Sequence, residues 1–435
     1  MSLKKDFETF CGNILLDNRS DMETSAGEIA KKLNAYYYDL DKDASTHLYI
    51  VGSVGRGTAI KGSSDLDIIF DLPSSVYKQF NEYETNGQSA LLQEVKTVLQ
   101  ERYPKTKMRG DGQVVVIEFT KYTVELVPAF LQSDDRFKYP DTHDGGSWKY
   151  TDPMKEQEAC ANCEECSTGN YNNFCHIMRS WKNTIGFEFG GLLIDTLVYN
   201  HFSDNSDYSD KGYEDYLTIL QNLFDYLKGL KKDQDYWLAV GSNQHVSNSG
   251  NGAFVGKAKK AAKKIADAIA NESDVNTLLI ELLGGEFPTT QKAVTKAYEL
   301  ASYSYRNTEQ FIDSLFPVDI RYSLRLECRV TQNGWRDFLL SVFLRNNGVL
   351  RHNKSLDFYI VSTNCPEPYS IYWKVRNVGN VAEQRDCIRG QIKKTDSIHK
   401  KEHTDFQGAH YVECYLIKNN ICVARDRIDV PIGNI

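Results

Sequence analysis

The chain has 435 residues, 41% of them hydrophobic and 25% charged, the balance of an ordinary globular protein long enough for two or three domains. A formal net charge of -8 argues against wrapping nucleic acid over a large surface, although it permits a local basic pocket. No run of about eighteen apolar residues occurs, so no membrane-spanning helix is expected.

The opening MSLKKDFETF lacks the apolar core of a secretory signal, which makes the cytoplasm the expected setting and its ten cysteines reduced thiols or metal ligands, not a disulfide frame. From Lys4 to about Tyr38, apolar residues recur at spacings of three and four with acids early, which predicts helix. HLYIVGS, His47 to Ser53, is a short apolar run ending in glycine and predicts a buried strand. Asp65 to Leu72 predicts a second strand. Gln113 to Phe119 and Thr123 to Phe130 predict two more, joined by a turn at Lys121-Tyr122. Helical periodicity then runs from Glu156 to about Arg306, including NNFCHIMRSWKN and an Ala/Lys helix around Lys257 to Ala270. After Phe316-Pro317, aromatic and β-branched residues alternate with polar ones. The turn signals Asn333-Gly334, Asn346-Asn347-Gly348 and Val378-Gly379-Asn380 punctuate them, which predicts a separate all-β domain over about 319–435. No internal repeat or low-complexity linker is evident.

Within GSVGRGTAIKGSSDLDIIFDL, two acids flank a single leucine. Residues two apart on a strand share a face, so Asp65 and Asp67 project together while Leu66 and Ile68 enter the core. Like charges so close repel and each favours keeping a proton. A divalent cation removes the conflict, and hard oxygen ligands suit magnesium. The plainer alternative is a solvated edge strand with an acidic face. Upstream lie Gly52, Ser53, Gly55, Gly57 and Thr58, where glycines let backbone N–H groups approach a ligand and a hydroxyl adds a donor, a cradle for phosphate oxygens. Downstream, Glu125 sits among apolar neighbours in VELVPAF, a costly place for a carboxylate that is neither paired nor metal-bound. Three acids on neighbouring strands beside a phosphate cradle are the apparatus of two-metal phosphoryl transfer.

The GS and DLD elements, with a third acid in VELVPAF, resemble the nucleotidyltransferase superfamily of DNA polymerase β. Within it they are most similar to the bacterial cGAS/DncV-like nucleotidyltransferases, second-messenger synthases also called SMODS or CD-NTases. Tyr139 to Pro153 and the R-x-W-K helix Asn172 to Asn183 are similar to further family segments, and the likeness covers about 45–270. The family's third acid is usually aspartate, where this chain has Glu125.

The resemblance implies an α+β architecture: a polymerase β-like core with a mixed sheet over about 40–180 and a helical lobe over about 155–310, together a catalytic unit over 1–315. It makes Asp65 and Asp67 ligands to two magnesium ions, with manganese an alternative, and Glu125 a ligand to the catalytic one. Gly52 and Ser53 would hold the triphosphate. Lys182 would reach the phosphates from outside its helix while Trp181 packs inward. The implied reaction joins nucleoside triphosphates, ATP among them, into a cyclic di- or oligonucleotide with release of pyrophosphate. A separate effector protein would read the product in anti-phage defence (CBASS), with no membrane or nucleic acid involved. Two other readings stay open: a synthase of linear 2′-5′ oligoadenylates or RNA-directed nucleotidyltransferase, and a non-catalytic nucleotide-binding module. The intact Asp65, Asp67, Glu125 and Ser53 speak against the last.

Cys160, Cys163 and Cys166 recur at helical steps of three, and tetrahedral zinc would need a fourth ligand from Cys175, His176 or His143. Steps of three crowd poorly around one ion, so packed thiols are the preferred expectation, with zinc left open. Tyr369 to Ile392, and Gly408 to Ile432 as a hairpin with Asn419-Asn420 at its tip, resemble the C-terminal sensor domain known as AGS-C. That likeness implies a regulatory ligand or protein partner at the β domain. Trp373, Arg376, Asn377, Arg389 and His410 are candidates for its pocket, unless Trp373 fills the core and the arginines brace loops. Lys257, Lys259, Lys260, Lys263 and Lys264 read as the solvated face of an Ala-rich helix in preference to a nucleic-acid patch.

Overall fold

The opening helical stretch forms two helices, α1 (Leu3–Asn13) and α2 (Arg19–Tyr38), in the computed structural model. The structure describes residues 2–433 apart from 272–273, 289–308, 333–335, 347, 379–381, 383–387 and 406–407. The expected helix beyond Pro288 and most of the turn signals at Asn333-Gly334, Asn347 and Gly379-Asn380 lie outside the described residues.

The run HLYIVGS yields only a three-residue strand, β1 (Leu48–Ile50), because Gly52 takes a φ of +63° and turns the chain into a short helix, α3 (Gly52–Gly55). The Gly52-Ser53 pair therefore starts a helix and does not finish a strand. The next strand is β2 (Asp65–Asp71), followed by α4 (Ser74–Asn81) and α5 (Gly87–Arg102). Then come β3 (Lys107–Asp111), β4 (Val114–Glu118), β5 (Thr123–Leu131), β6 (Phe137–Asp141) and β7 (Ser147–Thr151). The sheet order is β1-β2-β5-β4-β3, with β6 and β7 continuing from β5; β2 and β5 run parallel, and the other pairs are antiparallel.

Strand alternation decides what covers each face. Leu66 and Ile68 of β2, with Val124 and Leu126 of β5, pack against Ile29 and Leu33 of α2 and Leu91 and Val95 of α5. Burying that face turns Asp65, Asp67 and Glu125 to the other one.

The helical lobe comprises α6 (Pro153–Cys166), α7 (Asn170–Ile185), α8 (Gly191–Ser203) and α9 (Tyr216–Gly229), a two-stranded ribbon of β8 (Tyr236–Leu238) and β9 (His245–Ser247), α10 (Ala253–Ala270) and α11 (Val275–Leu283). Its core includes Trp181, Phe189, Phe224 and Phe254, and α1 contributes Phe7 and Phe10 to it from far away in sequence. On α10 the alanines Ala258, Ala261 and Ala262 face inward and Lys259, Lys260, Lys263 and Lys264 are exposed. Lys257 departs from the solvated reading: it lies over the Phe187 ring at 5.9 Å, and burial lowers its pKa.

The C-terminal region is a pair of four-stranded sheets. One, ordered β11-β10-β12-β15, contains β10 (Leu324–Thr331), β11 (Phe338–Leu339), β12 (Ser355–Thr363) and β15 (His399–His403). The other, ordered β14-β13-β16-β17, contains β13 (Ser370–Arg376), β14 (Arg389–Thr395), β16 (Gly408–Lys418) and β17 (Ile421–Ile432). Asn419 and Asn420, both with positive φ, make the two-residue tip between β16 and β17. Trp373 is buried with Phe358, Cys414 and Val423 between the sheets, so it fills the core. No helix among the described residues is long and apolar enough to cross a membrane.

The two halves meet through the connecting segment and α7. The Asp319 and Arg321 amides donate to the carbonyls of Cys422 and Val423 on β17, at 3.0 and 2.9 Å. Arg425 of β17 donates to the Asn183 carbonyl at 3.4 Å.

Trp181 is fully buried against Phe187 and Phe224. Trp181→Ala should lower unfolding free energy by about 3–5 kcal/mol, whereas Lys263→Ala on the exposed face of α10 should stay within about 0.5 kcal/mol. Denaturant midpoints of the two variants check the contrast.

Candidate active site

The parallel register of β2 on β5 sets Asp67 beside Glu125 and Asp65 beside Thr123. Asp65 and Asp67 open into a cavity of about 480 Å³ that Gly52, Ser53 and Lys182 also line. Glu125 neighbours Asp67 on the sheet but is not among the lining residues. At Gly52 any Cβ would overlap the Asp67 carboxylate, so glycine is required both for the positive φ and for the close approach of that acid.

The acids destabilise one another. Burial pushes Asp67 up to about 6, and the Asp65 charge pushes the same way. Burial also raises Asp65, against the pull of the Arg321 guanidinium, and raises Glu125, assisted by Asp67. The Asp65 Oδ1 atom is buried and has no hydrogen-bond partner, while Oδ2 is ion-paired to Arg321. Three carboxylates on one face, one with an orphaned oxygen, supply hard oxygen donors of the kind a divalent cation takes. As the side chains stand, no three His, Cys, Asp or Glu side chains among the described residues, these acids included, converge on a metal position.

Lys182 departs from its expected position. It is 7% exposed, not outside its helix, because residues 318–321 lie over it. Its Nζ donates to the Ile320 carbonyl at 3.1 Å and stands 3.6 Å from Asp319 Oδ1. Trp181 packs inward. Asp319 and Arg321, which sequence reasoning did not single out, thus belong to the site; nothing local in PVDIRYS marks them, since Ser64 and Asp65 lie more than two hundred positions earlier and Lys182 more than one hundred.

A second group that sequence reasoning missed anchors the turn after Ser53. The fully buried Asp195 of α8 accepts from Arg179 at 2.6 and 2.9 Å, from Arg56 at 2.9 Å and from Thr58 at 2.9 Å. Arg56 also reaches Glu156 at 3.2 Å. The two cations hold Asp195 well below the usual carboxylate range despite its burial. His176 bonds the Gly57 carbonyl at 3.0 Å, and burial lowers it to about 4, so it is neutral.

Among the described residues the cysteines form no group that could hold a metal ion. Cys160 packs against the Tyr171 hydroxyl at 3.1 Å, Cys175 is in the lobe core and Cys166 is exposed. Burial pushes the Cys160 and Cys163 thiols up to about 12. Of the other zinc candidates, His176 is on Gly57 and His143 pairs with Asp141 at 2.6 Å.

A mixed sheet carrying paired acids beside a glycine-serine turn defines the nucleotidyltransferase class. Residues 1–163 match the Second Messenger Oligonucleotide or Dinucleotide Synthetase (SMODS) domain, and residues 306–433 match the Adenylyl/Guanylyl and SMODS C-terminal sensor domain (AGS_C). The chain is 23% identical over 216 residues to a probable cyclic nucleotide synthase from Bacillus cereus (strain VD146), a match that spans 46% of this chain and 65% of that protein. The fold is similar to that of CdnC from E. coli MS115-1 in a complex with HORMA-deltaN, with a TM-score of 0.52 and 15% identity over 66% of this chain and 98% of that one. The structure of the same CdnC with ATP aligns with a TM-score of 0.52 and 16% identity over 66% of this chain and 99% of that one. By these matches the chain carries an N-terminal SMODS domain and a C-terminal AGS_C domain.

Asp195→Asn should be severely destabilising, by about 3–5 kcal/mol, because it leaves Arg56 and Arg179 as buried charges without their shared counterion. Chemical denaturation measures this directly.

Proposed function

We propose that this chain is a magnesium-dependent synthase that joins nucleoside triphosphates, ATP among them, into a cyclic di- or oligonucleotide and releases pyrophosphate. One observation carries the reading: Asp65 and Asp67 face the Gly52-Ser53 turn and Lys182 across a single cavity, with Glu125 beside Asp67 in the sheet. The catalytic unit spans 1–315 and the AGS_C sensor 319–435. A cytoplasmic setting, a separate effector that reads the product and a role in anti-phage defence accompany the proposal.

Each residue has a part set by its chemistry. Asp65 and Asp67 would hold both magnesium ions, and Glu125 the one beside the attacking hydroxyl. When bound, those ions neutralise the triphosphate and lower the pKa of the attacking sugar hydroxyl. The Ser53 hydroxyl donates to the phosphates, and Gly52 allows Asp67 to stand directly against that turn. The Lys182 ammonium supplies a point charge for the phosphates. The Asp195 cluster holds the turn rigid, so the donors are oriented before substrate arrives.

Asp67→Asn should reduce nucleotide transfer by at least about a hundredfold. In chelator-containing buffer the variant should be no less stable than the parent, since the lost charge was repulsive. Turnover retained at saturating magnesium overturns the assignment. Incubating the pure protein with labelled ATP, GTP, CTP and UTP and then with phosphatase separates the products. Cyclic products have no terminal phosphate and keep their mobility after phosphatase; linear 2′-5′ oligoadenylates lose their 5′-terminal phosphates and change mobility; label on added RNA would mark the RNA-directed alternative.

A further inference from the structure

We propose that residues Val318–Arg321 are a latch that occupies the triphosphate and cation positions of this chain and must leave for a nucleoside triphosphate and its divalent cation to bind. The inference rests on the reading of the cavity given above and concerns regulation of that site.

The segment meets Lys182 and Asp65 with charges of opposite sign. The Asp319 carboxylate accepts from Ser64 Oγ at 2.9 Å and lies 3.6 Å from Lys182 Nζ, the cation assigned to the phosphates. The Arg321 guanidinium is paired with Asp65, the carboxylate assigned to the cation, and its Nε donates to Asp319 at 2.9 Å. An anion thus stands on the phosphate-binding lysine and a cation on the metal-binding acid. The backbone is held as well. Lys182 donates to the Ile320 carbonyl at 3.1 Å, Asn183 donates to the Val318 carbonyl at 3.2 Å, and the Ile320 amide donates back to Asn183 at 3.2 Å.

Asp319 separates a latch from a substrate clamp. If Arg321 alone entered the cavity, it would read as one more phosphate ligand. A carboxylate fixed beside Lys182 repels a triphosphate and competes for the same ammonium. Substrate and segment therefore use the same partners and exclude each other.

The other edge of the segment belongs to the β domain. Asp319 and Arg321 donate to Cys422 and Val423 of β17, and the Cys422 amide donates to the Pro317 carbonyl at 2.8 Å. Whatever shifts β17 against α7 also withdraws Asp319 and Arg321. A ligand that favours the withdrawn arrangement of the β domain raises nucleotide affinity, and nucleotide raises affinity for that ligand by the same factor.

The test measures binding of a non-hydrolysable ATP analogue with magnesium to the full-length protein by calorimetry, comparing the parent with Asp319→Asn and Arg321→Gln. A latch closed nine-tenths of the time weakens apparent affinity about tenfold, so both variants should bind about tenfold more tightly. Equal affinities in all three would make the contacts a mere tether between domains and overturn the proposal. Weaker binding by Arg321→Gln would make Arg321 a substrate ligand and overturn it too. Magnesium-dependent binding by the parent with no gain in the variants sinks the latch alone; no such binding by any folded form sinks the site reading and the latch with it. Hydrogen exchange on the parent needs no substitution: the Ile320 amide should lose protection when the analogue and magnesium saturate the protein. Unchanged protection there, with binding established, overturns the latch.

Discussion

The crowding of three carboxylates on one face of a buried sheet is the constraint around which this molecule is arranged. Asp65 and Asp67 share that face because strand side chains alternate, and the parallel pairing of β2 with β5 brings Glu125 alongside. Desolvation and mutual repulsion both favour protonation, and the raised pKa values record that cost. Nearby features answer it. Gly52 leaves room for the Asp67 carboxylate, and Arg321 supplies a counter-charge to Asp65.

The turn at Gly52-Ser53 draws its rigidity from the helical lobe. Asp195 sits on α8, yet its carboxylate binds Arg56 and Thr58 just after the turn and Arg179 on α7. A buried ion cluster contributes little net stability over a well-packed apolar one, but it is costly to break and is satisfied in one geometry only. Its value in this fold is positional. It locks the sheet domain to the lobe at the point where Ser53 enters the cavity.

The β domain is joined directly to the acid site. Its strand β17 is hydrogen-bonded to the segment that reaches Lys182 and Asp65, and Arg425 of that strand donates to the Asn183 carbonyl near the end of α7. A change in the sandwich therefore has a short mechanical route to the acids, through backbone hydrogen bonds instead of a flexible tether.

Strand alternation, glycine chemistry and binary patterning are local, and what depends on them was legible in the chain. The DLD element placed Asp65 and Asp67 on one face and Leu66 and Ile68 in the core, the alternating tail read as a β domain, and Asn419-Asn420 read as a hairpin tip. Local pattern failed where a single backbone torsion decided the outcome. Gly52 took a positive φ and converted the end of a predicted strand into the start of a helix. The tertiary structure alone decided what lies opposite the acids. Lys182 sits on the polar side of its helix by pattern, yet it is buried because residues more than one hundred and thirty positions later fold over it. Arg321 and Asp195 look like ordinary charged residues in sequence, and their roles come from partners 256 and 139 positions away, in Asp65 and Arg56. Charge pairing across such separations leaves no periodic trace, so only the folded chain reveals which charges meet.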